Sequence, residues 1–251
     1  MRVSQVTLKY VDGEGAEVVT PLAEAKATLI ADGLPVRSFG SYAGMRHYPG
    51  WWWSATTGSL LPYESLLERD RLLTADFDRD VVAIASQPFG LTGRVDGVNR
   101  RHVPDFLLIG RDGTPTIVDV KPARLAGKPE VAEVLEWTGA LLHQRGWRYE
   151  VWSGLTPTLR ENLRFIAAGR HANRVDSDAL SLLERKEADG RTIRDVVDEV
   201  VAEHRCDRRL VTAAALTMLW RQEWPVDLEQ PLSHASVIQQ IGVMGDARAG
   251  T

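Results

Sequence analysis

His102-Val103-Pro104-Asp105-Phe106-Leu107-Leu108-Ile109 and Thr116-Ile117-Val118-Asp119-Val120-Lys121-Pro122 decide how the rest of the chain is read. Each is a short aliphatic run of strand length. Gly110-Arg111-Asp112-Gly113-Thr114 between them carries an Asp-Gly turn signal, so the pair predicts a β-hairpin. Side chains alternate across a strand, which puts Asp119 and Lys121 on one face and Val118 and Val120 on the other. Asp105, at the head of the neighbouring strand, can then face the Asp119/Lys121 pair. Two carboxylates and an ammonium at the open end of a hairpin suit a divalent metal and a water that must lose a proton. The plainer alternative is an Asp–Lys cross-strand ion pair on a solvated face.

Working outward, apolar spacing over residues 63–73 predicts a helix opened by Pro62, with Glu64 and Glu68 stacked on one face. Either acid could serve a metal, or both simply face water beside Arg69 and Arg71. Residues 81–84 read as a strand broken at Gln87-Pro88. After the hairpin come a helix over 129–142, ended by Gly146, and an alternating strand over 147–152. The order helix, strand, hairpin, helix, strand predicts a mixed α/β core over residues 61–170. Residues 1–60 read as an N-terminal hairpin, a short helix over 21–31 and an irregular segment that wraps the core.

Beyond it the pattern changes. Thr156-Pro157 caps a connecting helix running to about residue 168, and the domain boundary falls near 169–175. Three helices follow, over 176–188, 192–204 and 207–220, with Thr192 as an N-cap and Asp195 in the first turn. Residues 224–238 predict a β-hairpin, so 171–244 read as an α-rich winged-helix domain; the tail 245–251 is expected to be disordered. The third of these helices is nearly all apolar, with Arg208 and Arg209 at its start as the phosphate-reaching residues. That favours docking on a protein over reading bases.

The chain has 251 residues, 44% hydrophobic and 25% charged, as expected of a soluble globular protein. No apolar run reaches membrane-spanning length and the N-terminus lacks a signal-peptide core, so a cytoplasmic protein with no membrane partner is expected. Cys206 is the one cysteine, which excludes an intramolecular disulfide and a cysteine-rich zinc site. A net charge of −4 argues against a protein that grips DNA unaided, since free-standing DNA binders depend on a basic surface. Eight tryptophans include the run Trp51-Trp52-Trp53, read as core packing plus a surface aromatic patch, or as a stacking or interface surface.

The stretch from Phe39 to Lys121 resembles the TnsA-like endonuclease subunits of heteromeric Tn7-type transposases, in the PD-(D/E)xK superfamily. The matching pieces are Tyr63-Glu64-Ser65-Leu66-Leu67-Glu68-Arg69-Asp70, Phe77-Asp78-Arg79-Asp80-Val81 leading to Gln87-Pro88, Pro104-Asp105-Phe106 and Val118-Asp119-Val120-Lys121-Pro122. The resemblance implies a restriction-endonuclease-like mixed sheet flanked by helices, followed by the winged-helix domain. It implies catalytic roles for Glu68, Asp105 and Lys121; the family's Ser-x-x-Glu pattern selects Glu68, with Glu64 one turn away as the alternative. Some members carry Gln where this chain has Asp119, the carboxylate of the broader superfamily. Asp105, Asp119 and Glu68 are then the expected ligands of Mg2+, with Mn2+ as a substitute. The implied reaction is cleavage of double-stranded DNA at the 5′ ends of a mobile element, alongside a DDE-type transposase and an AAA+ ATPase regulator. A stand-alone restriction, repair or phage-defence nuclease of the same fold, or a non-catalytic DNA-end or assembly module, are the competing readings.

Overall fold

The computed structural model describes residues 3–37, 48–95 and 97–240. The tail 245–251 and part of the segment expected to be irregular lie outside these residues. The chain forms two compact units, Met1–Gly154 and Leu155–Thr251.

In the first unit, Val3–Val11 (β1) and Glu17–Pro21 (β2) form the predicted hairpin, whose turn is held by Asp12 Oδ1 accepting from the Glu14 and Ala16 N–H groups. A short helix, Ala27–Ala31 (α1), precedes a two-stranded ribbon of Gly50–Trp53 (β3) and Leu60–Tyr63 (β4). Then come Leu66–Phe77 (α2), Val81–Ser86 (β5), Gly90–Val95 (β6), Val98–His102 (β7), Phe106–Gly110 (β8) and Pro115–Val120 (β9). Ala123–Ala126 (α3), Pro129–Gln144 (α4) and Arg148–Trp152 (β10) complete the unit.

These strands build a mixed sheet in the order β10-β9-β8-β5 and an antiparallel sheet in the order β2-β1-β6-β7. The decisive hairpin is β8–β9, with Leu107 opposite Ile117 and Phe106 opposite Val118. Gly113 turns it in the left-handed region at φ 79°, which a residue with a Cβ rarely adopts. β10 runs parallel to β9, and parallel neighbours need a crossover, which α4 supplies. Pro129 suits the first turn of α4, where its missing N–H costs nothing. Leu8, Leu91, Leu107, Ile117, Trp137 and Leu142 pack in one core that draws on both sheets and α4. Each fully buried side chain of this kind contributes about 1.5–3 kcal/mol.

Two expectations need correction here, and one hairpin is new. β1 pairs with β6, so the N-terminal hairpin does not stand apart from the core but belongs to one of its sheets. The β6–β7 hairpin, inserted between β5 and β8, had no strong alternation to announce it: β7 is Val-Asn-Arg-Arg-His, a largely exposed strand. Finally, the helix expected from residue 63 begins at Leu66, because Ser65 adopts an extended conformation and caps it, while Pro62 and Tyr63 belong to β4.

The second unit contains Pro157–Ile166 (α5), Ser177–Glu184 (α6), Ile193–His204 (α7) and Arg208–Trp220 (α8), capped by the side chains of Thr156, Asp176, Thr192 and Asp207. α5 is therefore not a connector to the core: Asn162 donates to the Leu228 and Gln230 carbonyls and accepts from the Leu232 N–H. The break falls at Gly154/Leu155, ahead of the expected 169–175. The hairpin expected over 224–238 is also absent among the described residues. Pro225 and Pro231 lack donors, and the segment bonds instead to the start of α7, through Ile193 N–H to Ser236 O and Ile238 N–H to Arg191 O. Most apolar residues of α8 are spent on this unit's own core, including Val211, Ala214, Met218 and Leu219. Among the described residues no helix is long and apolar enough to cross a membrane.

Candidate active site

Asp105 immediately precedes β8; the ladder stops at the Phe106–Val118 pair, and the Asp105 N–H bonds the Val118 carbonyl, which sets its carboxylate near Asp119 of β9. Two carboxylates held close together repel, so this placement needs compensation. Lys121, on the same face as Asp119, supplies it: Nζ lies 3.1 Å from Asp105 Oδ2 and 3.6 Å from Asp119 Oδ1. The Val120 N–H adds a 2.6 Å bond to Asp105 Oδ2. The three residues predicted to meet do meet, and neither Asp is on a solvated face, since Asp105 is 7% and Asp119 0% exposed.

The helical acid is more distinctive. Glu68 accepts from Ser65 Oγ and from the Glu64 N–H, while Ser65 Oγ accepts from the Glu68 N–H. This is a variant of the capping box, with the return bond made to the residue before the N-cap, and it explains in physical terms why Ser and Glu stand three apart at the head of α2. Glu64 lies before the helix, so the two acids do not stack on one helical face; Glu64 instead pairs with Arg37 at 2.9 Å on the surface. Glu68 is buried and feels the charge of Asp105, whereas Glu64 is more exposed.

Burial pushes the Glu68 carboxyl up to about 7, reinforced by the Asp105 charge and opposed by its cap bonds. Burial also raises Asp105, with Lys121 acting against it and Asp119 adding to it. For Asp119 burial is again the largest influence, but the bonds and charges of His102, Lys121 and Tyr149 together outweigh it and hold the group below the usual carboxylate range. Lys121 goes up: the attraction of Asp105 and Asp119 exceeds the cost of burying its charge, so it stays an ammonium at neutral pH.

Two contributors were missed. His102, the last residue of β7, places Nε2 2.9 and 2.8 Å from the two Asp119 oxygens. Tyr149 of β10 donates its hydroxyl to Asp119 Oδ2 at 2.6 Å. His102 begins the quoted stretch and could have been suspected, but Tyr149 gives no sequence signal, because it is brought in by parallel pairing. Gln87, from the Gln87-Pro88 motif, lies behind the site: its N–H donates to the Asp105 carbonyl at 2.8 Å. Its φ of 46° is unusual for a residue with a Cβ and costs about 1–2 kcal/mol. The Trp run divides: Trp52 is buried and donates to Asp76, while Trp51 is exposed.

Asp105 and Asp119 are hard oxygen donors of the kind Mg2+ prefers, and these two carboxylates stand against the single ammonium of Lys121, a surplus a cation would relieve. Chemically the donor set fits. Glu68 has both oxygens committed to the cap, and among the described residues no three His, Cys, Asp or Glu side chains converge tightly enough to enclose an ion. Asp105 and Asp119 are thus the pair that would hold one. No protein-family model matches the chain, and no curated protein matches it.

Proposed function

We propose that the first unit is a divalent-metal-dependent DNA endonuclease with a restriction-endonuclease-like core, working as the 5′-end-cleaving subunit of a Tn7-type transposase. The observation that carries the reading is the meeting of Asp105, Asp119 and Lys121 on adjacent strands of a mixed sheet, with Glu68 buried at the head of α2 and electrostatically coupled to Asp105. The order α2, β5, β8, β9, α4, β10 agrees with that core, the β6–β7 hairpin being an insertion.

Asp105 and Asp119 would hold Mg2+, whose chemistry there would be to lower the pKa of a water and offset charge on the phosphate. The protein's own groups do the rest. Lys121, kept protonated by two carboxylates, orients the attacking water and stabilises the charge that grows on the phosphorane. Being an ammonium it cannot accept the proton; Glu68, poised at about 7, can. The Val120 N–H and Lys121 fix the Asp105 carboxylate in place.

A DDE-type transposase and an AAA+ ATPase are the proposed partners. The second unit has a groove of about 750 Å³ lined by Phe165, Val197, Leu216, Arg194 and Arg209 among others, a candidate seat for a protein partner. Genes beside this one should encode the two partners. With them present, Mg2+-dependent cleavage of double-stranded DNA is expected, and Asp105→Ala and Lys121→Ala should abolish it while melting within a few degrees of the wild type. Undiminished cleavage by the folded Lys121→Ala protein would falsify the reading.

A further inference from the structure

Asp119 is the one carboxylate of the site with no exposure to solvent, and both its oxygens already accept hydrogen bonds. Oδ1 lies 2.9 Å and Oδ2 2.8 Å from His102 Nε2; Oδ2 also receives the Tyr149 hydroxyl at 2.6 Å, and Lys121 Nζ stands 3.6 Å from Oδ1. A carboxylate only accepts hydrogen bonds when ionised, so His102 must present Nε2–H to it. A ring nitrogen that carries this proton has no lone pair left for a cation. As folded, then, His102 is a competitor for Asp119 and not a fourth ligand. Asp105 differs: its bonds to Val120 and Lys121 are both made through Oδ2.

We infer that His102 and Tyr149 together lock Asp119, so that a divalent cation reaching Asp105 must compete with their hydrogen bonds for its second carboxylate. The inference rests on the metal-dependent reading of the site and deepens it by naming what controls uptake. The lock is delivered by two strands. Tyr149 lies in β10, which pairs with β9 itself, and is thereby tied to Asp119's own sheet. His102 ends β7, which among the described strands pairs with β6 alone, and reaches Asp119 from the other sheet.

The test is calorimetric titration of the full-length protein with MnCl2, without DNA, for the wild type, His102→Ala, Tyr149→Phe and Asp105→Ala. Tyr149→Phe keeps the ring and removes only the hydroxyl, so it guards against a folding failure in the histidine variant. Each lock variant should bind Mn2+ about tenfold more tightly, the scale of one hydrogen bond to a charged group. Asp105→Ala should lose binding. Unchanged affinity in both lock variants overturns the inference, as does binding by none of the four proteins. Weaker binding by His102→Ala overturns it too, and makes His102 a ligand. Because the readout is cation affinity without DNA, these outcomes are separate from the cleavage assay that decides the nuclease reading.

Discussion

Glu68 combines a structural and a chemical duty, and the two can be separated by pH. Its carboxyl is raised from 4.5 to about 7 in the folded protein, so the folded state binds this proton more tightly than the unfolded chain does. The stability it contributes is fully present below about pH 4.5 and is lost as the pH rises through about 7, by on the order of 3 kcal/mol at most. Asp105 is shifted in the same direction and Asp119 in the opposite one, so the comparison must be made against a variant of Glu68 alone. Glu68→Gln keeps a side chain able to cap the helix and removes the charge. Relative to wild type it should become more stable between pH 4.5 and pH 8, read from urea midpoints at the two values; a parallel shift of both proteins would refute the buried-acid account. The same variant should cut DNA at least ~10² more slowly. Glu64→Gln should cut near the wild-type rate, since its carboxylate is spent on Arg37 at the surface.

The β3–β4 ribbon shows what a single buried charge can hold together. Asp76 of α2 accepts from Trp52 Nε1, Ser54 Oγ and the N–H groups of Ala55 and Thr56, at 2.7–3.1 Å. Without it four donors lose this acceptor, and two of them, Trp52 Nε1 and Ser54 Oγ, are buried. Asp76→Ala should therefore cost roughly 3 kcal/mol or more in denaturant-induced unfolding, well above an ordinary surface substitution. Asp76→Asn, able to satisfy only part of the set, should fall between. A loss below about 0.5 kcal/mol would mean the ribbon is held by something else. The middle Trp of Trp51-Trp52-Trp53 is thus an anchor in the packing sense, and its exposed neighbour Trp51 is left for other contacts.

At the scale of the whole molecule, the division at Gly154/Leu155 changes where the chain should be cut. A fragment of residues 1–154 should fold cooperatively, with a sharp thermal transition. A fragment extended to 170 carries α5 without the 228–232 segment that Asn162 binds, and leaves Leu163 and Ile166 without their buried setting. It should aggregate more readily in a scattering measurement; equal behaviour of the two fragments would contradict the observed boundary. With a net charge of −4, the intact protein alone should bind DNA weakly and without sequence preference, in the range of about 10⁻⁴–10⁻⁶ M at physiological salt. Tight, sequence-specific gel shifts by the lone protein would favour a stand-alone nuclease.

The β8–β9 hairpin, α4, β10 and the caps at Thr156 and Thr192 were legible in the sequence because each is written in local terms: period, turn chemistry or a polar residue at a helix start. The meeting of Asp105, Asp119 and Lys121 was legible for the same reason, since a hairpin's register follows from its turn and its alternation. What only the tertiary structure decided was non-local. Pairing of β1 with β6 drew the N-terminal hairpin into the core, and parallel pairing of β9 with β10 brought in Tyr149. An exposed edge strand with no hydrophobic alternation carried His102 to Asp119. Within residues 224–238 the internal bonds are local turns, and His234, Ser236 and Ile238 bond to the start of α7 where a hairpin ladder was expected; Pro225 and Pro231 have no N–H to give one. Local patterns specify which segments become helix or strand; which segments become neighbours depends on burial that no short window of sequence contains.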